Sequence, residues 1–386
     1  MGVARCQPPT LKGNHLPSRA EAGKVCARSG DSWRNQSDFV IQHPSANGDQ
    51  RERSASRLSI GVMVPTKNSA RLLPRHLEQM RTWLDLVQEV VVVDSFSTDG
   101  TLELIRAGLQ HPGLRICSHP PGLYQSWNHG IAQLTTKYTY IATTGDLITR
   151  EGLRKLFDAA EALAADVVLS KPCFFNAHGE PMEDIEWPID NIIRSLKINQ
   201  ATRLTRLESL VFAITDVGSA LTGSCASDLF RTRVLQEYPF PTEFGPAGDG
   251  AWGILHAAAL DWAVVPERFS RFIRHPSSAS AAERQSFKQS KRMDILAKEA
   301  VAAAFRGGAL PAGATAALPL EELLKILTVC LDAKEAFDRR RRAKLPWILR
   351  PGAWYIRSRR NQAYRHLEEL KTQTLRAAAE IPSHGE

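Results

Sequence analysis

The sequence predicts an α/β protein built on a mostly parallel sheet. Three observations point there: continuous β-branched runs such as EVVVVD recur, segments with a helical apolar period separate them, and 43% hydrophobic with 23% charged residues over 386 positions is an ordinary globular balance. A strand that is apolar throughout is covered on both faces, and the helices between such strands supply the cover. The same composition excludes a collagen-like, repeat-only or wholly disordered chain.

The pattern begins at Leu58. From residue 1 to about 56 the chain is rich in Ser, Arg, Gly, Pro and Asn without a sustained apolar period, which predicts a disordered leader. LSIGVMV then reads as a strand, RLLPRHLEQMRTWL as a helix, EVVVVD as a strand and TLELIRAGLQ as a helix. LRIC, YTYIAT and DVVLS continue the strands, while YQSWNHGIAQL and REGLRKLFDAAEAL continue the helices. The second half is less regular. It holds a helix near Ser209–Ala213, GSALTGSCASDLF as a strand feeding a helix at RTRVLQEY, the helix GDGAWGILHAAAL, the strand WAVVP and the segment RFIRHP. Beyond Ala281 the pattern is helical, in SFKQSKRMDILAKEAVAAAF, PLEELLKILTVCLDAKEAF and a last polar helix. The expected layout is a leader over 1–56, an α/β domain over 57–280 with halves 57–163 and 164–280, and a helical extension over 281–386.

Lysine plus arginine is 49 against 41 acids, a net charge of +8 that invites a polyanion. The excess gathers in Arg339–Arg360, where arginines interleave with Trp347, Ile348, Leu349, Trp354, Tyr355 and Ile356. That composition suits an anchor on an anionic membrane surface, and equally a charged face packed on the domain by its aromatics. Nucleic acid is not an expected partner, because the standard motif texts are missing. Six cysteines without a CxxC pair predict neither a zinc site nor a disulfide framework. No secretory signal or membrane-crossing run is read, so the expected location is cytoplasmic, with peripheral attachment to the inner face of a membrane as an addition.

In an open α/β sheet, ligands lie outside the carboxyl ends of the strands. The first strand end reads Pro65-Thr66-Lys67-Asn68, the second Asp94-Ser95-Phe96-Ser97-Thr98-Asp99-Gly100, and the fourth Thr143-Thr144-Gly145-Asp146. Read singly, Ser97, Thr98 and Asp99 could do no more than cap a helix. Taken in order, PTKN, VVVDSFSTDGT, GLYQSWNHGI and YIATTGD resemble the nucleotide-sugar half of the family 2 glycosyltransferases, whose usual texts are PTYN, VVDxxSTDGT, GIYDAMNKGI and a DxD-like loop. LTGSCASDLFRTRVLQEYPFPTEFGPAGDGAW resembles that family's acceptor segment, and RFIRHPSSAS its closing Arg-x-x-His-Pro segment.

The resemblance implies a GT-A fold and transfer of a sugar from a nucleotide-sugar donor to a hydroxyl acceptor, by single displacement with inversion. A glycan or lipid-linked acceptor of polysaccharide biosynthesis would suit it. Pro65, Thr66 and Asn68 would shape the loop under the nucleoside, and Asp94, with Ser97 beside it, would hold the base or ribose. Tyr124 and Asn128 would pass close to the donor, and Asp146 would bind a divalent metal, Mg or Mn, that bridges the diphosphate. Asp249 would be the general base, which an acceptor hydroxyl needs because its own pKa is far above neutrality. His275 would approach the same metal, although a packed or surface histidine ahead of Pro276 is the simpler reading.

Two departures stand out. Thr143 and Gly145 replace aspartates in the metal loop, as in a sub-group of the family that reads Asn-Ser-Gly-Asp, and Gly248 replaces the first acid of the usual Glu-Asp pair. They motivate the alternative of a non-catalytic nucleotide-sugar-binding protein that kept the fold.

Overall fold

The computed structural model describes residues 57–182, 185–215, 221–222, 224–274, 287–310, 318–342 and 353–380. The expected leader and His275 lie outside them, as does the part of the basic segment from 343 to 352.

The strands, in chain order, are β1 (Ile60–Thr66), β2 (Glu89–Asp94), β3 (Leu114–Ser118), β4 (Tyr138–Ile141), β5 (Leu147–Ile148), β6 (Val167–Ser170), β7 (Cys173–Asn176), β8 (Thr202–Arg203), β9 (Leu229–Arg231), β10 (Trp262–Val265) and β11 (Ser270–Arg274). The helices of the first half are α1 (Leu73–Arg81), α2 (Thr101–Gly108), α3 (Leu123–Ile131) and α4 (Arg150–Ala162). Those that follow are α5 (Pro188–Leu196), α6 (Arg206–Thr215), α7 (Thr232–Glu237), α8 (Gly248–His256), α9 (Phe287–Arg306), α10 (Leu320–Arg342) and α11 (Ala353–Glu380).

The main sheet runs β3-β2-β1-β4-β9-β6-β10-β8, and a smaller one runs β5-β11-β7. β1 pairs in parallel with β2 and β4, β2 with β3, and β10 with β6. β9 is antiparallel to both of its neighbours, β4 and β6, so the start of β9 lies beside the carboxyl ends of the parallel strands. The result is the GT-A arrangement of a mostly parallel sheet between helices.

The valine run explains why the sheet needs cover on both faces. Val90 and Val92 join the core built with Leu73, Leu77 and Leu153, whereas Val91 and Val93 join the core on the opposite face with Trp127 and Ile131. All four valines are fully buried, each stabilising the fold by about 1.5–3 kcal/mol relative to exposure. On α1, Leu73, Leu77 and Met80 recur at helical spacing on the buried side. α4 starts where Thr149 accepts a hydrogen bond from the Gly152 amide at 3.0 Å, an N-cap of the usual kind.

The second half differs from the sequence expectation in detail. The strand in GSALTGSCASDLF covers only Leu229–Arg231, preceded by a 3₁₀ turn over Cys225–Ser227 in which the Ser227 amide donates to the Ser224 carbonyl. The irregular stretch after β6 contains β7, α5 and β8. The C-terminal helices are part of the acceptor-half core: Ala297, Ala300, Leu323, Leu327, Cys330, Leu367 and Leu370 are buried in one cluster with Leu210 and Ile254. Among the described residues no helix is long and apolar enough to cross a membrane.

Candidate active site

The ends of β1 and β2 are stitched together by side chains. The Ser95 amide donates to the Thr66 carbonyl at 2.9 Å. Asp94, which is 1% exposed, accepts from the Ser97 amide at 2.9 Å and from the Ser97 hydroxyl at 2.5 Å. The Ser97 hydroxyl oxygen in turn accepts from the Asn68 amide at 2.8 Å, and the Asn68 side-chain oxygen accepts from the Thr98 amide at 2.9 Å. Further along, the Ser69 amide donates to Thr101 and the Ala70 amide to Asp99, both across the loop pair. Asn68 sits at φ 46°, a left-handed conformation that asparagine tolerates better than most residues. The Thr101 hydroxyl, with the Ala70 and Thr101 amides, holds the Asp99 carboxyl below its ordinary range. Pro65 joins this frame through its carbonyl, which accepts from the Thr144 hydroxyl at 2.9 Å.

α3 connects this frame to the second half. Its Gly130 lies so close to the sheet that a Cβ would come within 2.7 Å of Val93 and 2.8 Å of Met63. Asn128 donates to the Phe240 carbonyl at 2.8 Å and accepts from the Phe240 amide at 3.0 Å, so its side chain clamps the acceptor segment to α3. Tyr124, 2% exposed, donates to the Pro246 carbonyl at 3.2 Å and also reaches the Asp249 carboxylate.

Three carboxyl groups lie at or near the strand ends, and burial pushes each of them up. Asp146 rises to about 7, against the opposing pull of the Ile273 amide at 3.0 Å and the Thr143 hydroxyl at 2.8 Å. Its backbone carbonyl accepts from Nδ1 of His76, a ring that burial holds down to about 4 and therefore neutral. Asp249, in the first turn of α8, rises to about 6; the Gly250 amide at 2.7 Å and the Tyr124 hydroxyl pull in the other direction. Asp228 is fully buried, touches the Ser170 amide only at 3.4 Å, and leaves its Oδ2 without a partner. Burial, with the Asp249 charge adding to it, drives Asp228 well above its ordinary value. The sequence reading missed Asp228, because a single aspartate ahead of a short strand has no motif to mark it. Cys225 is equally buried, and burial with the charges of Asp249 and Asp228 pushes its thiol up, so no reactive thiolate is present there.

Both glycine departures have a steric cause. Gly145 adopts φ 108°, where a side chain is strained. At Gly248 a Cβ would fall 2.5 Å from the Tyr124 ring and 2.6 Å from the Pro241 carbonyl. An acid at Gly248 would therefore displace the tyrosine that donates to the Pro246 carbonyl.

The metal that the sequence reading calls for was tested against these groups. Among the described residues no three His, Cys, Asp or Glu side chains converge as a cage. Asp146 nevertheless fits a cation that takes its other ligands from a diphosphate and water, as Mg²⁺ commonly does. Each Asp146 oxygen accepts one protein hydrogen bond and keeps a lone pair, and among the described residues no cation pairs with this half-buried carboxylate.

Residues 61–217, which include both stitched loops, α3 and Asp146, match the family described as glycosyl transferase family 2. Over this segment the chain is similar to that family. The glycosyltransferase match ends before Asp228 and Asp249, so the two deepest questions about the site fall outside it. No curated protein sequence matches the chain. Among solved structures, it is similar to S. aureus TarS 1-349 in complex with UDP-GlcNAc, with 19% identity, TM-score 0.49, and 81% of this chain and 91% of that one covered. It is also similar to the mannosyltransferase PcManGT from Pyrobaculum calidifontis in complex with GDP-Man and Mn²⁺, with 21% identity, TM-score 0.45, and 94% and 97% covered.

Proposed function

We propose that this glycosyltransferase uses a nucleoside-diphosphate sugar and transfers the sugar to an acceptor hydroxyl by single displacement with inversion. The observation that supports this best is Asp249: a half-buried carboxylate with a pKa of about 6, at a helix start, beside the tyrosine of the donor-side helix. Such a group is ionised at neutral pH and basic enough to accept a proton as the bond to oxygen forms. The acceptor oxygen attacks the anomeric carbon, its proton passes to Asp249, and the bond from that carbon to the diphosphate oxygen breaks. Thr66, Asn68, Asp94 and Ser97 present the rigid surface on which the nucleoside would rest, with Pro65 tying it to the loop of Asp146.

Asp146 would hold a Mg²⁺ or Mn²⁺ ion, which when bound supplies positive charge to the departing diphosphate. Tyr124 ties the turn ahead of Asp249 to α3 through the Pro246 carbonyl, and Asn128 does the same at Phe240. With Gly145 and Gly248 explained by backbone and packing, the alternative of a binder that lost its acids has no observation in its favour. The Arg339–Arg360 composition suits a glycan acceptor carried on lipid at an anionic membrane face.

A panel of nucleoside-diphosphate sugars tested by thermal shift, followed by acceptor-free release of nucleoside diphosphate from whichever donor stabilises the protein, tests the reading. One donor is expected to raise the Tm and to be slowly hydrolysed. A panel in which none shifts the Tm and none is cleaved counts against a donor site.

A further inference from the structure

Phe96 is out of keeping with its surroundings in two independent ways. It is the most exposed large hydrophobic side chain among the described residues, at 58%, and its backbone sits at φ 56°. A left-handed conformation is disfavoured for a residue with a Cβ, and Phe lacks the short polar side chain that lets Asn68 tolerate it. Folding alone would select a glycine or asparagine here, with no reason to expose a ring.

The backbone that carries the ring is fastened on both sides. On one side the Ser95 amide is bonded to the Thr66 carbonyl; on the other, Ser97 is bonded to Asp94 through both its amide and its hydroxyl and accepts from the Asn68 amide. Beyond them, the His119 amide donates to the Asp94 carbonyl at 3.0 Å, bringing the end of β3 into the same frame. Among the described residues no aromatic ring or cation stacks on Phe96. An unpartnered aromatic face on a fastened backbone is therefore left open at the strand ends, beside the loop assigned to the nucleoside.

We propose that Phe96 is the stacking platform for the base of the donor nucleotide. This rests on the reading that a nucleoside diphosphate lies over the ends of β1 and β2. Every base has a π-face, so the platform would give affinity without choosing among bases, and choice of base would fall to polar groups at the base edge. The loop would then keep a disfavoured backbone conformation because the ring is needed for binding, a stability cost of the kind found at ligand sites.

The test measures binding of UDP and GDP by calorimetry, with Mn²⁺ present, to wild type, Phe96→Gly, Phe96→Leu and Phe96→Trp, together with their melting temperatures. Phe96→Gly is expected to melt at or above the wild-type temperature and to bind about tenfold or more weakly, since one stacked base commonly contributes at least that much. Phe96→Leu should lose affinity similarly, and Phe96→Trp should retain it. Equal nucleotide affinity in wild type and Phe96→Gly would overturn the platform while leaving the donor site intact. If wild type binds neither nucleotide, both the donor reading and the platform fall. A Phe96→Gly protein with a lowered Tm and unchanged affinity would show that the ring serves the fold.

Discussion

The loops at the ends of β1 and β2 and the acids around Asp249 handle charge in opposite ways. In the loops each carboxylate is satisfied locally: Asp94 by Ser97, and Asp99 by Thr101 and Ala70. Around Asp249 the carboxyl groups lose solvent without full compensation, so that Asp146 and Asp249 lie near neutrality and Asp228 is pushed up as well. The difference separates a surface that binds without moving protons from a region able to exchange them.

The sharpest way to break this contrast is Asp249→Asn. Steady-state turnover is expected to fall by about 10²–10⁴-fold, while the nucleotide Kd stays within about twofold. Undiminished turnover would remove Asp249 as the base. Restoring the acid of the family pattern with Gly248→Glu should harm the protein, because the new side chain must displace Tyr124; denaturant unfolding should show a loss of about 1–3 kcal/mol. A Gly248→Glu variant as stable and active as wild type would disprove that packing argument. Asp146→Ala should weaken Mn²⁺-dependent nucleotide binding by about tenfold or more, read as the difference between titrations with and without the metal. No difference between those titrations in wild type would count against a metal at Asp146.

On the binding side the effects should be smaller and purely structural. Asn68→Ala removes the acceptor for the Thr98 amide and puts alanine at φ 46°, so a stability loss of about 1–2 kcal/mol is expected in urea, without a change in the pH profile. A shifted profile would mean that the loops and the acids are coupled. The smallest effect should come from Tyr124→Phe. The wild-type kcat should rise with pH through about 6 as Asp249 loses its proton. The tyrosine hydroxyl lowers the pKa of the carboxyl group; without it the pKa rises, and the acid limb should move to higher pH by a few tenths of a unit. Movement in the opposite direction would show that the hydroxyl does not favour the charged form.

The same contrast explains what could be read beforehand. The loops at the ends of β1 and β2 were legible because their bonding is local: Asn68, Asp94, Ser97 and Asp99 bond within two short runs, and those runs form a recognisable text. Valine runs made the central strands legible as well. Asp228 was not legible, since its burial depends on β9 lying between β4 and β6, strands far away in the chain. Gly248 looked like a missing acid until the Tyr124 ring was seen to fill the space. β7 and β8 escaped because two- and four-residue strands lack a measurable period, whereas α5 did carry a signal in Trp187-Pro188-Ile189-Asp190: Asp190 accepts from the Trp187 amide at 2.7 Å.

The late arrival of β9 also matters before the protein is complete. On the ribosome, β4 and β6 are finished well before Leu229–Arg231 emerges, yet among the described residues it is this strand that joins β4 to β6 in the main sheet. Until then a nascent chain presents two open edges, the feature that invites pairing with other chains. Expressing the matched stretch 61–217 on its own would make that temporary state permanent.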